Sequence, residues 1–177
     1  MGKKIIYFFA VLVIFNGTAW AQAEKPVFNV ITVASVITAP TAKYIADSIE
    51  EAKEDGAQGL IILLDTPGGM DTAMRDIAKS LLNAPLPVIV FVYPPGARAA
   101  SAGVIITTAA HVAAMAPGTN IGAAHPVAIG IGSSGGMDKT MSEKMENDAA
   151  AYARSIAKIK GRSEEWVEKA VRKSESI

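Results

Sequence analysis

The apolar positions change period along the chain, and each change marks an element. Residues 27–37 (VFNVITVASVI) are rich in β-branched side chains and read as a first strand. From Pro40 and Thr41 to Asp55 the apolar residues Ala42, Ile45, Ile49 and Ala52 fall at helical spacing, and Gly56 is a natural stop. Residues 59–64 (GLIILL) are continuously apolar, the pattern of a strand buried on both faces of a parallel sheet. A second helix is predicted from Asp71 to Asn83, with Ala73, Met74, Ile77, Ala78, Leu81 and Leu82 as its inner stripe. Pro85 and Pro87 end it and lead into another buried strand at 88–93 (VIVFVY).

Beyond the loop at 94–98, residues 104–111 read as a short helix and 112–116 as a strand closed by Pro117 and Gly118. Residues 127–136 (VAIGIGSSGG) read as a mobile surface loop. This loop spells G-x-G-x-x-G at Gly130, Gly132 and Gly135, but no helix follows directly and no later strand supplies an acidic residue, so dinucleotide binding is rejected. The longest helix is predicted at 142–160, with Met145, Ala149, Tyr152, Ile156 and Ile159 on one face. Gly161 ends it, and Ser163 with Glu164 and Glu165 caps a last helix carrying Trp166, Val167, Ala170 and Val171. Alternating strands and helices predict an α/β fold of parallel strands with right-handed crossovers. The chain stops at Ile177 without a closing strand, as expected of a domain truncated at its C-terminal end.

The first residues are different in kind. Lys3 and Lys4 precede an apolar run at 5–15, followed by Asn16-Gly17 and Ala19-Trp20-Ala21. This is the layout of a signal peptide over residues 1–21, which leaves 22–177 as the working domain. An uncleaved anchor is the alternative, but the run is shorter than the roughly 20 residues that span a bilayer. Outside the cytoplasm free nucleotides and coenzyme A are scarce, so hydrolysis, which needs only water, is the favoured chemistry.

Composition narrows the classes further. At 177 residues, half of them apolar, the chain holds one domain. Lysine plus arginine equals aspartate plus glutamate at 17 each, which gives no footprint for nucleic acid. There is no cysteine, which excludes disulfides and thiolate catalysis, and the two histidines, His111 and His125, have no carboxylates clustered with them. Neither a metal nor a cofactor is expected.

Two glycine-bearing turns, Asp65-Thr66-Pro67-Gly68-Gly69 and the one around Ser101, follow consecutive buried strands and so lie at the same edge of a parallel sheet. Ser101 is flanked by Ala100, Ala102 and Gly103, which leave its hydroxyl unshielded, and it precedes a helix N-terminus. The backbone N–H groups of Gly69 and Ala102 are candidates for stabilising a tetrahedral oxyanion, an arrangement suited to acyl transfer. The local pattern alone leaves open the simpler reading in which Ser101 only caps the helix.

The segments LLDTPGG, VYPPGARAASAG and MAPGTNIGAAHP, in this order, resemble the ClpP-class peptidase domain of NfeD-type membrane proteins, over roughly Val27 to the end. That resemblance implies a ClpP/crotonase-like fold, a Ser-Lys dyad with Ser101 as nucleophile, and an oxyanion hole from Gly69 and Ala102. It also implies an endopeptidase that cuts apolar segments of membrane proteins, with stomatin-like proteins as partners, and a homodimer or larger homo-oligomer at the extracytoplasmic face of the membrane.

A serine attacks only when a base takes its proton, and burial lowers a lysine from about 10.4 toward neutrality. The base is therefore expected in an apolar pocket. Aligning residues 153–157 with the family's helix puts its lysine on Lys144, next to Met141 and Met145; Lys139, after the glycine-serine loop, is the second candidate. His125, 24 residues after Ser101, is the rival base, but no aspartate after Asp148 could orient it. On the family pattern His125 is not the base, and it lines the cleft or helps dimer packing. His111, which ends an apolar helix before a strand, reads as a capping or core residue, and Asp65 closes its strand and braces the T-P-G-G turn. The competing functions are a non-catalytic membrane-organising module and a crotonase-type acyl-CoA enzyme.

Overall fold

The computed structural model describes residues 25–127 and 139–177, and over these the chain alternates strand and helix. The elements are β1 (Phe28–Ala34), α1 (Ala39–Glu54), β2 (Gly59–Asp65), α2 (Asp71–Leu82), β3 (Val88–Val92), β4 (Arg98–Ala100), α3 (Ala102–Ala109), β5 (Val112–Met115), β6 (Asn120–Gly122), α4 (Lys139–Ile159) and α5 (Glu164–Arg172). The signal-peptide segment 1–21 and the glycine-serine loop lie outside the described residues, apart from Val127.

The main sheet has the order β1-β2-β3-β5, and every pairing in it is parallel. Its register brings Leu60 beside Val88, Ile62 beside Val90 and Leu64 beside Val92, so one face is a continuous apolar floor with all six side chains buried. Burying each side chain of this kind stabilises the fold by about 1.5–3 kcal/mol. Ile45, Ile49 and Ala52 of α1, with Ile77, Ala78 and Leu81 of α2, are buried in the same core. The apolar runs of β2 and β3 were expected to be buried on both faces, but Ile61, Leu63, Ile89 and Phe91 on the opposite face are only half-buried. Continuous apolarity predicts burial on two sides, and in this chain helices cover one side fully.

Two short strands escaped the sequence reading. β4 and β6 pair in parallel as a second sheet, with Arg98 opposite Asn120 and Ala100 opposite Gly122. Three residues each is too short for a period to register. The chain end also differs from expectation. Ile121 and Ile177 exchange backbone hydrogen bonds at 2.9 and 3.0 Å, and Gly122 bridges Ser176 antiparallel, so residues near the C-terminus do pair with β6.

In α4 the fully buried residues are Ala150, Ala153, Ile156 and Ala157, whereas Ile159 is 69% exposed, which corrects the face drawn through Met145 and Ile159. Ile156 is common to both faces, and the rest of the stripe is rotated because Ala150, Ala153 and Ala157 are the residues buried beside it. Ser163 caps α5 as expected, its hydroxyl accepting from the Trp166 N–H at 3.1 Å. Arg162, just before it, donates to the carbonyls of Thr108 and Ala110 (3.0 Å for the latter) and so satisfies the C-terminal end of α3.

His111 was expected to be a capping or core residue, but it is exposed just before β5 and bonds Val88 of β3, not the end of α3. Its Nδ1 accepts from the Val88 N–H at 3.2 Å, and its own N–H donates to the Val88 carbonyl at 2.9 Å. Partial loss of water, then the charges of Lys160 and Arg162, hold the imidazole below its ordinary 6.5. A depressed value means that the folded state favours the neutral ring. The contribution is therefore present above 6.5 and is lost as pH falls through the folded value. Urea unfolding of wild type between about pH 7.5 and about pH 5 is expected to show a fall in stability that His111→Gln reduces. An identical pH dependence in both proteins would contradict this.

Candidate active site

Thr66, fully buried at the end of β2, organises the site. Its N–H donates to the Arg98 carbonyl (2.7 Å) and its carbonyl accepts from Ala100 (3.0 Å), which fastens β4 to the main sheet. Its hydroxyl accepts from the Gly68 N–H at 3.1 Å and donates to the Gly68 carbonyl at 3.3 Å, which shapes the T-P-G-G turn. Asp65 was expected to brace this turn, but its carboxylate instead accepts from the Arg98 N–H at 3.0 Å and holds β4. The bracing falls to Thr66.

Beyond the turn the backbone runs beside Ile37. Ile37 donates to the Gly68 carbonyl (2.8 Å) and accepts from the Met70 N–H (2.9 Å). In such a pairing the N–H and C=O of the intervening residue, Gly69, point to the opposite side. A Cβ on Gly69 would lie 2.1 Å from the Ile37 carbonyl oxygen, and one on Gly68 would lie 2.6 Å from Ser101 Cβ. Close approach of backbone to backbone, and of backbone to Ser101, is why both positions are glycine.

Ser101 continues the β4–β6 ladder, donating its N–H to the Gly122 carbonyl at 3.1 Å, and then the chain reverses into α3. The reversal puts its backbone at φ 52° and ψ −113°, a left-handed conformation that costs a non-glycine residue about 1–3 kcal/mol. The simpler reading made Ser101 a helix cap, but its side chain makes no capping hydrogen bond. The hydroxyl is free for other work. Among the described residues, neither the Gly69 nor the Ala102 N–H donates to a protein acceptor.

Ser101, Gly69 and Ala102 share the wall of a cavity of about 200 Å³, whose apolar part includes Met74, Ile105, Met145 and Ala149. Arg75 of α2 and Asp148 and Tyr152 of α4 also line it. The guanidinium of Arg75 pairs with Asp71 at 2.8 Å, contacts Asp148, and lies 4.3 Å from the centre of the Tyr152 ring. Burial lowers the Arg75 pKa and the two carboxylates more than offset it, so the net direction is up. Loss of water raises the Tyr152 phenol, the Arg75 charge opposing.

The basic candidates sit apart from this wall. Lys144 is exposed on α4, one turn before Asp148, so the apolar pocket expected around it is not found. The fully buried residues of α4 begin at Ala150, beyond Lys144. Lys139 is 90% exposed and faces Glu143 at 4.0 Å. His125 does not line the cavity as expected; its neighbours Ala124 and Pro126 do, while its Nδ1 is 3.1 Å from the Val171 carbonyl. Sequence reasoning did not single out Thr66, Arg75 or Asp148. The i, i+4 spacing of Asp71 and Arg75 is visible in the sequence, but Asp148 is 73 residues from its partner.

The family model described as NfeD1b, N-terminal domain, matches residues 27–174. The chain is 40% identical over 152 residues to membrane-bound protease PH1510 of Pyrococcus horikoshii, a match covering 84% of this chain and 34% of that protein. It therefore spans about a third of that relative's length. Among solved structures it is similar to a serine-to-alanine mutant of the 1510-N membrane-bound stomatin-specific protease, with 37% identity and a TM-score of 0.79 over 86% of this chain and 73% of that one. A lysine-to-alanine mutant of the same protease, in complex with a substrate peptide, matches with 37% identity and a TM-score of 0.78 over 87% and 69% of the two chains. ClpP1 from Listeria monocytogenes shares the fold at 19% identity, with a TM-score of 0.63 over 84% of this chain and 81% of that one.

Thr66→Val keeps the shape but orphans the buried Gly68 N–H, at a cost of about 1–3 kcal/mol. Thr66→Ser keeps the bond and loses only the methyl packed against Gly103, about 0.8 kcal/mol. Urea denaturation is expected to rank wild type above Thr66→Ser and Thr66→Ser above Thr66→Val; the reverse order of the two variants would refute the role of the hydroxyl.

Proposed function

The chain belongs to the NfeD1b N-terminal domain family, and on that premise we propose that it is a serine endopeptidase with Ser101 as nucleophile. One observation carries the reading. Ser101 holds a strained backbone without a capping bond, beside two uncommitted N–H donors and an apolar cavity. Strain of this kind persists only where the surroundings enforce it.

In this reading a peptide lies extended along the free side of Gly69, whose N–H and C=O offer strand-like pairing. An apolar side chain of the peptide enters the cavity between Met74, Ile105 and Met145. Ser101 Oγ attacks the carbonyl carbon while a neutral lysine takes the hydroxyl proton, and the oxyanion accepts from the N–H groups of Gly69 and Ala102. Collapse breaks the C–N bond, and the lysine returns the proton to the leaving amine. Water then attacks the acyl-enzyme by the same route, releasing the acid and restoring Ser101.

Lys144 is the proposed base. The two mutated positions of the 1510-N structures are 41 residues apart, against 43 between Ser101 and Lys144 and 38 between Ser101 and Lys139. A lysine covered by substrate loses water, and an ammonium taken out of water gives up its proton more readily. Cover by the peptide is thus the proposed source of an environment that the uncovered site lacks.

The proposed substrate is an apolar segment of a membrane protein, with a stomatin-like protein as the candidate, since the related 1510-N protease carries that specificity in its name. Residues 1–21 are proposed as a signal peptide that puts the domain at the extracytoplasmic face of a membrane. Among the described residues no helix is long and apolar enough to cross one.

With an apolar peptide as substrate, Ser101→Ala and Lys144→Ala are each expected to lower cleavage by about 10²-fold or more, and His125→Ala to retain most of it. Loss in His125→Ala with full activity in Lys144→Ala would transfer the role of base to the histidine.

A further inference from the structure

We propose that Arg75 is a positioning residue that latches the first half of α4 to α2 and so fixes the α4 side of the cleft, the helix on which Lys144 also lies. Helix α4 has 21 residues, yet those it buries fully, Ala150, Ala153, Ile156 and Ala157, all fall in its second half. Apolar packing therefore fixes chiefly the C-terminal half, and before Ala150 it is only partial. Among the described residues, two arginines add ties to this first half. Arg172 of α5 reaches Glu146 at 3.0 Å on one side. Arg75 of α2 reaches Asp148 on the cleft side and lies over the ring of Tyr152 one turn further on.

The Arg75 contact differs from the ion pairs confined to one helix, and shares with the Arg172 contacts the joining of two helices. Lys43–Asp47 and Lys53–Glu50 join side chains more than half exposed within one helix, and pairs of that kind contribute little. The Arg75 side chain is 31% exposed, bonds two carboxylates from two helices, and adds a cation–π contact. Asp71, on its own helix, pre-orients the guanidinium through Nε, which leaves the other edge of the fork for Asp148. A planar fork can do this while stacking on a ring, and a lysine ammonium cannot. Ser101, Arg75 and Asp148 line the same cavity, so movement of α4 away from α2 widens the space in which a peptide would lie.

The consequence for catalysis rests on the peptidase reading, whereas the latch itself does not, and the test keeps them separate. Hydrogen–deuterium exchange on the full chain is compared for wild type, Arg75→Met, Arg75→Lys and Asp148→Asn. Exchange over residues 139–149 is expected to rise about tenfold in Arg75→Met and Asp148→Asn, with β2 and β3 unchanged. Arg75→Lys is expected to restore protection only in part, and a variant combining Arg75→Met with Asp148→Asn to add little to either single one. In cleavage of an apolar peptide, Arg75→Met is expected to raise KM and to lower kcat. Asp148 is exposed and its substitution does not threaten folding, so unchanged exchange in Asp148→Asn overturns the latch even if Arg75→Met is unstable. An inactive wild type with the expected exchange pattern would instead overturn the peptidase reading and leave the latch standing.

Discussion

Thr66 is the point at which three otherwise separate pieces of backbone are fixed to one another. Its amide groups bind β4, its hydroxyl binds the Gly68 turn, and its methyl meets Gly103 at the start of α3. All three contacts converge on a residue with no exposed surface, where an unmade hydrogen bond carries its full cost. The position of Ser101 follows from them. The residues before Ser101 are held by Thr66 through Ala100, those after it by the packing of Gly103, and its own N–H by Gly122. A serine pinned on both sides takes up a left-handed backbone because the alternatives would break one of these contacts.

The same arrangement explains why the two N–H groups stand uncommitted. Gly69 is turned away from Ile37 by the pairing of its neighbours, and Ala102 opens a helix whose first amides have no intrahelical acceptor. Both residues line the cavity beside Ser101. The site is a product of the sheet edge, and its chemistry depends on a geometry set by β2, β4 and β6. What the sheet does not supply is the basic group. In the proposed reading it comes from α4, whose second half is packed in the core and whose first half is tied to the cleft by the side chains of Arg75, Asp148 and Tyr152.

The order of the α/β elements was legible in the sequence because it depends on local signals, whereas Ser101 was marked as a candidate nucleophile only by the resemblance of the motifs around it. The period of apolar residues marked the long elements, and glycines at 68, 69 and 103 marked the close approaches. The short strands β4 and β6 were not legible, since three residues carry no period and their pairing is non-local. The face of α4 was misread for a related reason: small alanines at 150, 153 and 157 meet its neighbours, while the larger Ile159 faces solvent. The environment of Lys144 was misjudged because nearby methionines in the sequence, Met141 and Met145, are themselves exposed. Apolar neighbours along a chain are no guarantee of an apolar pocket in space.

The central claim is that a strained serine with free donors beside it is a nucleophile and not a structural residue. A fluorophosphonate reacts only with a hydroxyl activated in this way, and mass spectrometry of the digested protein locates the adduct. A single adduct on the peptide containing Ser101, absent from the heat-denatured chain, is the predicted result. No adduct under conditions in which the protein is folded, or an adduct on another serine, would contradict the account.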